Sequence, residues 1–524
     1  MIRCLFFITC FVFSLWSNAQ NKNLSNSFVF DGEPFLAINP SNSQHLVVAW
    51  MGWKLNNIIV IKTRVSFDAG QTWSTINSIP HTISTYQSAD PSLAFDNYGN
   101  LFLCFIDYTP SPAAGAVYVV KSINGGLNWG TAVEVINANA DGSKIPIDRP
   151  WMVIDRSGGT NDGNIYITSK PAPWIPAPNR SYFIRSIDGG NTFEPWKYID
   201  TTNFLIGNSI AAPMATPTVS ANGTFHALYP SYDTTQSIFP QYILASSTDG
   251  GSTITHQSAF IITSTTTDTL PKKGYLLLSN PADVNHLLFT YLGSDNGDLD
   301  IFSTESLNAG ASWTTPIRVN DDPIANNKMQ DLVWADFDND GDLIVAWRDR
   351  RNAADSTYET SSEIMGSIRW KDSTNFSPNF VITDSSITYN NILAENGNDF
   401  MCVQLINDTV YAVWGDTRNG YLNIWLQQID IATGGSSIID LANDISLINI
   451  YPNPSKNTIN IDLGSNDLQN SSIQLINVLG EVIMNQPVIQ QKNTIDLSNY
   501  PIGNYLIQFN NNKGSKTLKV IKEE

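Results

Sequence analysis

The chain is 524 residues long and acidic, with 29 Lys and Arg against 48 Asp and Glu and a formal net charge of -19. No large basic cluster interrupts that background, which disfavours nucleic acid and anionic lipid surfaces as partners. Its 14 Trp, 19 Tyr and 24 Phe favour neutral polar ligands that stack on rings.

Residues 1–20 run Met1-Ile-Arg3, an apolar stretch from Leu5 to Trp16, then Ser17-Asn18-Ala19. That is the layout of a signal peptide, too short for a membrane span, and no other stretch reaches the roughly 18 apolar residues a span needs. The expectation is an exported, soluble chain with no integral membrane span. Cys4 and Cys10 leave with the signal, while Cys104 and Cys402 sit singly in apolar, strand-like runs. Isolated buried thiols fit that pattern better than a disulfide framework does.

Residues 21–430 read as an all-β repeat array. Seven segments share a short strand, a turn and a strongly apolar second strand, as in His45-Leu-Val-Val-Ala-Trp50 and Thr409-Val-Tyr-Ala-Val-Trp414, and hardly any stretch shows helical periodicity. The first five run into one eight-residue pattern: Ser66-Phe-Asp-Ala-Gly-Gln-Thr-Trp73, Ser122-Ile-Asn-Gly-Gly-Leu-Asn-Trp129, Ser186-Ile-Asp-Gly-Gly-Asn-Thr-Phe193, Ser247-Thr-Asp-Gly-Gly-Ser-Thr-Ile254 and Ser306-Leu-Asn-Ala-Gly-Ala-Ser-Trp313. Its Asp or Asn can bond backbone N–H groups across a turn, and its Gly supplies positive φ. Roughly 58 residues per repeat fits four-stranded blades, so the expected fold is a seven-bladed β-propeller, alternatively a six-bladed one with an irregular repeat. Ser27-Phe-Val-Phe30 is the candidate outer strand that closes the last blade.

The eight-residue pattern resembles the Asp box, or BNR repeat, of sialidases and other propellers. The resemblance implies a sialidase-like fold in which the boxes are structural clasps. By strand direction the clasps mark one face, while the starts of first strands and the loops after second strands share the other. First strands bring Glu33, Asp90, Asp148-Arg149, Asp331 and Asp399 to that rim, and the loops bring Trp53, Trp174, Arg348-Asp349-Arg350-Arg351 and Asp416-Thr-Arg418. Such a rim suits carbohydrate: Arg grips a sugar carboxylate, Trp stacks on the ring and paired carboxylates cleave the glycosidic bond. The catalytic candidates are Asp148 with Asp349 or Asp416. The substrate-binding candidates are Arg149, Trp151, Arg348, Arg351, Arg418, Trp53 and Trp174.

Resemblance to sialidases stops short in the first repeat. Where they carry Phe/Tyr-Arg-Ile-Pro, this chain has Glu33-Pro34-Phe35-Leu36, without arginine. Arg149, Arg348 or Arg351, and Arg418 could form a different set of three, and Tyr108, Tyr229 and Tyr291 are equally eligible for the family's Tyr nucleophile. Asp336, Asp338, Asp340 and Asp342 imitate the opening of a Ca2+ loop, but no Glu closes it and the segment aligns with the plain hairpin Phe95–Asn100. No other cofactor is expected, and the five His residues never fall at zinc-ligand spacing.

A linker at 431–446 precedes a second unit, 447–524, whose strands alternate with Pro and Gly turns as in a small β-sandwich. Its blocks Ile450-Tyr-Pro-Asn-Pro-Ser455, Leu475-Ile-Asn-Val-Leu-Gly-Glu-Val482 and Asp496–Tyr505, followed by the basic end Lys516–Lys522, resemble the sorting domain of the type IX secretion system. That resemblance implies delivery through the type IX translocon, a secreted or outer-membrane surface location and a Bacteroidota-type source. The combined expectation is an exported propeller that binds a glycan or glycoconjugate, with its hydrolysis left open. The alternative is a non-catalytic adhesin or scaffold docking protein or polysaccharide.

Overall fold

The computed structural model describes residues 21–431 and 448–523, apart from 55–57, 111–112, 143, 145, 262–273, 390–397, 465–467, 469–470, 478–481 and 512–513. The signal segment and residues 432–446 of the expected linker lie outside the described residues. The described residues are all-β, and among them no helix is long and apolar enough to cross a membrane. The chain divides into two compact units at residues 436 and 437.

In the first unit, the described residues form seven four-stranded antiparallel sheets, numbered I to VII here in chain order. Sheet I shows the plan, with strands Asp31–Asn39, Asn42–Trp53, Ile59–Ser66 and Asn77–Ser78. The first strands of sheets II to VII are Gln87–Phe95, Ile147–Ile154, Thr216–Val219, Tyr275–Ser279, Gln330–Phe337 and Cys402–Ile406. Each first strand packs on that of the next sheet, and the strand of sheet VII returns to that of sheet I. Sheets therefore cover one another on both faces, which is why the second strands are continuous apolar runs: Leu46 to Trp50 are all fully buried. Cys104 and Cys402 are buried free thiols within such runs.

Sheet VII is completed by Lys22–Asn23, which pairs antiparallel with the strand Asn423–Asp430. The expectation that Ser27–Phe30 would supply this strand is corrected. The Asn423 side chain accepts the Ser27 N–H and donates to the Ser27 carbonyl, drawing the chain off the sheet edge after Asn23.

Four first strands share a bulge, between Gly32 and Phe35, Ala89 and Ser92, Asp148 and Trp151, and Asp331 and Trp334. Within the bulges Glu33, Asp90, Arg149 and Leu332 adopt φ of 53°, 53°, 51° and 57°. Pro34, Pro91 and Pro150 follow three of them, tolerated because the first strand is a sheet edge and the bulge leaves these positions out of its one ladder. An extra residue at these points redirects side chains that a regular pleat would alternate between faces.

The second unit packs the sheet Asn449–Tyr451, Thr458–Asp462, Lys492–Asp496 on a four-stranded sheet made of Val482–Pro487, Ser472–Ile476, Gly503–Asn511 and Gly514–Lys522. Ile459, Ile461 and Ile495 from one sheet and Ile473, Leu475 and Phe509 from the other form its core. It is a two-sheet sandwich.

Candidate functional site

The five repeated turns use one bonding scheme. In the first, the Ser66 hydroxyl donates to Asp68 and accepts the Gly70 N–H at 2.8 Å, while Asp68 accepts the Thr72 N–H and hydroxyl. The same Ser-to-Gly bond recurs at Gly126, Gly190, Gly251 and Gly310. The Thr72 hydroxyl and N–H, with the Ser66 hydroxyl, hold the Asp68 carboxyl down at about 2. Glycine carbonyls of these turns accept donors from the preceding sheet: Lys22 on Gly70, His45 on Gly125, Arg185 on Gly250 and Gln257 on Gly310. A carboxylate satisfied by its own turn, in a turn that bonds its neighbour, is a clasp and not a reactive group.

At the opposite end of the first strands, the bulges of sheets I to III and the segment leading into sheet VII bring together Glu33, Asp90, Asp148, Arg149 and Asp399. Arg149 is ion-paired with Asp399, and its backbone N–H reaches Asp90 at 3.2 Å. Lys170 closes the other side on Asp148 at 2.8 Å. Glu33, Asp90 and Asp148 are close enough, in that order, to shift one another's protonation. Burial, then the neighbouring Asp90 and Asp399, push the Glu33 carboxyl well above its usual range. Asp90 is pushed up to about 7 by burial and by Asp148. Burial acts the same way on Asp148, but Lys170 and Arg149 outweigh it and hold that carboxyl low. Along the row, burial and like charge thus raise Glu33 and Asp90, while the flanking cations keep Asp148 low. Glu33 is 2% exposed and Asp90 7%, so access is through the Asp148, Arg149 and Asp399 side chains, at 13, 23 and 25%.

Directly below lies a septum of rings. Phe35 meets Trp334 edge-on at 5.5 Å, Trp334 meets Trp151 at 5.7 Å and Trp151 meets Phe400 at 6.2 Å. The Arg149 guanidinium rests 4.5 Å over Phe400. Trp151 is thus part of the septum, not a stacking platform on the rim.

Most of the other residues singled out from the sequence are engaged in holding the sheets. Asp349 accepts the Trp347 indole N–H at 2.7 Å and the Arg351 guanidinium and N–H. Asp416 does the same for Trp414 and Arg418. Both carboxylates are fully buried with both oxygens in use, so neither is placed for proton transfer to a ligand. Arg348 forms a bidentate pair with buried Asp331 at 2.7 and 2.6 Å. Arg351 also binds Asp321, and Arg418 also binds Asp384. Each arginine has its own carboxylates, and the four do not form one grip. Trp53 leans on Phe30 at 5.8 Å, and Trp174 is exposed.

Among the tyrosines, Tyr108 stands beside the row, raised to about 12 by burial and by Asp148 and Asp90. Tyr229 is buried and donates to the Phe204 carbonyl, while Tyr291 is enclosed by aromatic rings. Neither is placed as a nucleophile. The calcium-like carboxylates also disperse. Asp336 accepts the Leu405 N–H, Asp338 the Asp408 N–H, Asp340 pairs with Lys371, and Asp342 accepts the Lys371 N–H. Among the described residues, no three His, Cys, Asp or Glu gather as a metal site.

Sequence reasoning did not foresee the contact of Ser88, His81 and Asp107. Ser88 Oγ and Asp107 both bond His81 Nδ1, at 3.1 and 2.8 Å, and Nε2 is buried without a partner. A serine nucleophile needs its base on the nitrogen opposite the carboxylate, so this is a structural network.

Residues 449–523 match the family described as the secretion system C-terminal sorting domain. The second unit is a secretion sorting domain. It indicates export by the type IX route, to the medium or to the cell surface. No curated protein matches the chain. Similar solved structures include a protein of unknown function from Dyadobacter fermentans, at 18% identity over 67% of this chain and 98% of that one, with a TM-score of 0.42. An alpha-L-arabinanase from Penicillium chrysogenum complexed with arabinobiose has 12% identity over 79% of this chain and 99% of that one, TM-score 0.44. The NanB sialidase of Streptococcus pneumoniae has 12% identity, 79% and 70% coverage and a TM-score of 0.40.

Proposed function

We propose that the seven sheets are the blades of an exported, Asp-box β-propeller, and that its channel mouth opposite the clasps binds a neutral glycan and hydrolyses it. The observation that carries this reading is the convergence of Glu33, Asp90, Asp148 and Asp399 around Arg149 and Lys170, in which burial and Asp148 raise Asp90 to about 7. A general acid works best when its pKa lies near the working pH. In this reading Asp90 supplies the proton, either directly or through Asp148, and Asp399, held by Arg149 from sheet VII, serves as the second carboxylate. The mouth suits neutral sugars better than acidic ones. Four carboxylates surround an arginine already paired, so a sugar carboxylate would meet repulsion, whereas sugar hydroxyls would find acceptors.

Binding without turnover is the second reading, and one observation favours it. Glu33, Asp90 and Asp148 are crowded enough to shift one another's protonation, whereas cleaving pairs stand roughly 5 to 9.5 Å apart. The experiment is to incubate mature protein with neutral, uronated and sialylated glycans, scoring both sugar release and binding, beside Asp90→Asn. The proposal expects release from a neutral glycan, lost in the variant. Binding without release supports a lectin-like role, and neither binding nor release would refute both readings.

A further inference from the structure

A cavity of about 460 Å³ opens where the outer part of sheet IV meets the chain leaving sheet III. That volume is within the range of about 300 to 1,000 Å³ typical of small-molecule sites. Its walls come from the start of the third strand, Gln241–Ser247, the outer strand, Thr255–Ile261, the turn through Asn203, and the loop at Thr235. Bonds between side chains and backbone fix those walls. Gln236 accepts the Leu205 N–H at 2.7 Å and donates to the Leu205 carbonyl at 3.0 Å, so one amide joins the two connecting segments. Tyr229 donates to the Phe204 carbonyl and Ser231 to that of Leu205, while the Phe204 ring stacks on His256 at 5.6 Å.

In a chain with 48 acidic and 29 basic residues, none of the described residues lining this cavity is charged. Six of the eight are Thr, Asn, Gln or Ser, and Phe204 and Leu205 supply the apolar remainder. The fold leaves one of these polar groups unused. Gln241 is 7% exposed; its Oε1 accepts the Ser258 hydroxyl at 2.7 Å, and its Nε2 donates to none of the described residues. A buried donor needs an acceptor, and the cavity that Gln241 lines is where one can stand. Amides and hydroxyls both donate and accept, as sugar hydroxyls do, whereas an ion would lose its hydration here with no countercharge in return.

We infer that this cavity binds one neutral sugar unit, with the Gln241 amide donating to a sugar oxygen. It shares no residue with the carboxylate row, so it does not depend on either reading of the mouth. The test is titration calorimetry of mature protein with galactose, glucose and mannose, and with glucuronate as the charged comparison. It is repeated on Gln241→Leu, on Ser258→Trp and, at the mouth, on Asp90→Asn, with thermal melts to confirm folding. Ser258 is exposed on the outer strand, so its replacement by Trp fills the cavity without entering the core. The inference expects one equivalent of at least one hexose to bind, more tightly than glucuronate. Gln241→Leu should weaken that binding about three- to tenfold, the contribution of one neutral hydrogen bond. Ser258→Trp should abolish it, and Asp90→Asn should leave it unchanged. No saturable binding of any of the three hexoses, tighter binding of glucuronate, unchanged binding in a folded Gln241→Leu or Ser258→Trp, or its loss in Asp90→Asn would overturn the inference.

Discussion

The two ends of the same seven first strands differ completely in chemistry. Before the ring septum three of the strands open with Glu33, Asp90, Asp148 and Arg149, the three carboxyls close enough to shift one another's protonation. Beyond it they line a cavity whose wall mixes aliphatic and aromatic side chains with polar ones, Arg156 and Asp336 among them. The bulges make the difference. A regular strand alternates its side chains along its whole length, whereas a bulge re-aims one residue and leaves the remainder of the strand in register. Charge can therefore concentrate at one end without disturbing the packing at the other.

The comparison breaks most visibly at Arg149. Arg149→Ala leaves a crowded group of carboxylates without its central cation, and unpairing a largely buried charge costs about 3 kcal/mol or more. Thermal unfolding at pH 7 should show that loss. It should shrink toward pH 5, because protonating the carboxylates removes their repulsion. An unchanged melting temperature would mean that Arg149 does not hold the mouth together.

Asp416→Ala separates stapling from function. It strips the Trp414 indole and the Arg418 guanidinium of a buried acceptor, and about 2 kcal/mol of stability should go with it. Whatever ligand the mouth binds should be held with unchanged affinity by the folded fraction. A selective loss of binding would return Asp416 to the site.

The pH dependence of stability sharpens the contrast further. A carboxyl raised to about 7 in the folded chain, against about 3.9 when unfolded, takes up protons on folding between those values. Stability should therefore fall as pH rises from about 4 to about 7, and Asp90→Asn should flatten that slope. The clasp carboxylates carry the opposite sign. Asp68, held at about 2, contributes stability that is present above about 4 and lost as pH falls toward about 2. Asp68→Ala should lower the melting temperature slightly at pH 7 and not at pH 2.

Much of this was legible in the sequence because it is local. The clasp needs Ser, Asp or Asn, and Gly within eight residues, and the second strands announce themselves as unbroken apolar runs. The secretion sorting domain was legible from its three blocks. The strand that completes sheet VII was misplaced, because Lys22–Asn23 is two polar residues whose role depends on Asn423, some 400 residues away in sequence. The first-strand carboxylates were visible as a set, yet nothing local says that Glu33, Asp90, Asp148 and Asp399 converge while Asp331 pairs with Arg348 and Arg350. The bonding of Asp349 and Asp416 was hidden for a related reason. In Trp347-Arg-Asp-Arg-Arg351 and Trp414-Gly-Asp-Thr-Arg418 the aspartate lies between the two donors it binds, a Trp-x-Asp-x-Arg staple that satisfies itself.

The central claim is that the mouth works by the proton held on Asp90, and the most direct test is the pH profile of neutral-glycan release by mature protein beside Asp90→Asn. The account predicts an inflection near pH 7 in the wild-type profile and its loss in the variant. Profiles that coincide across pH 5 to 9 would contradict it.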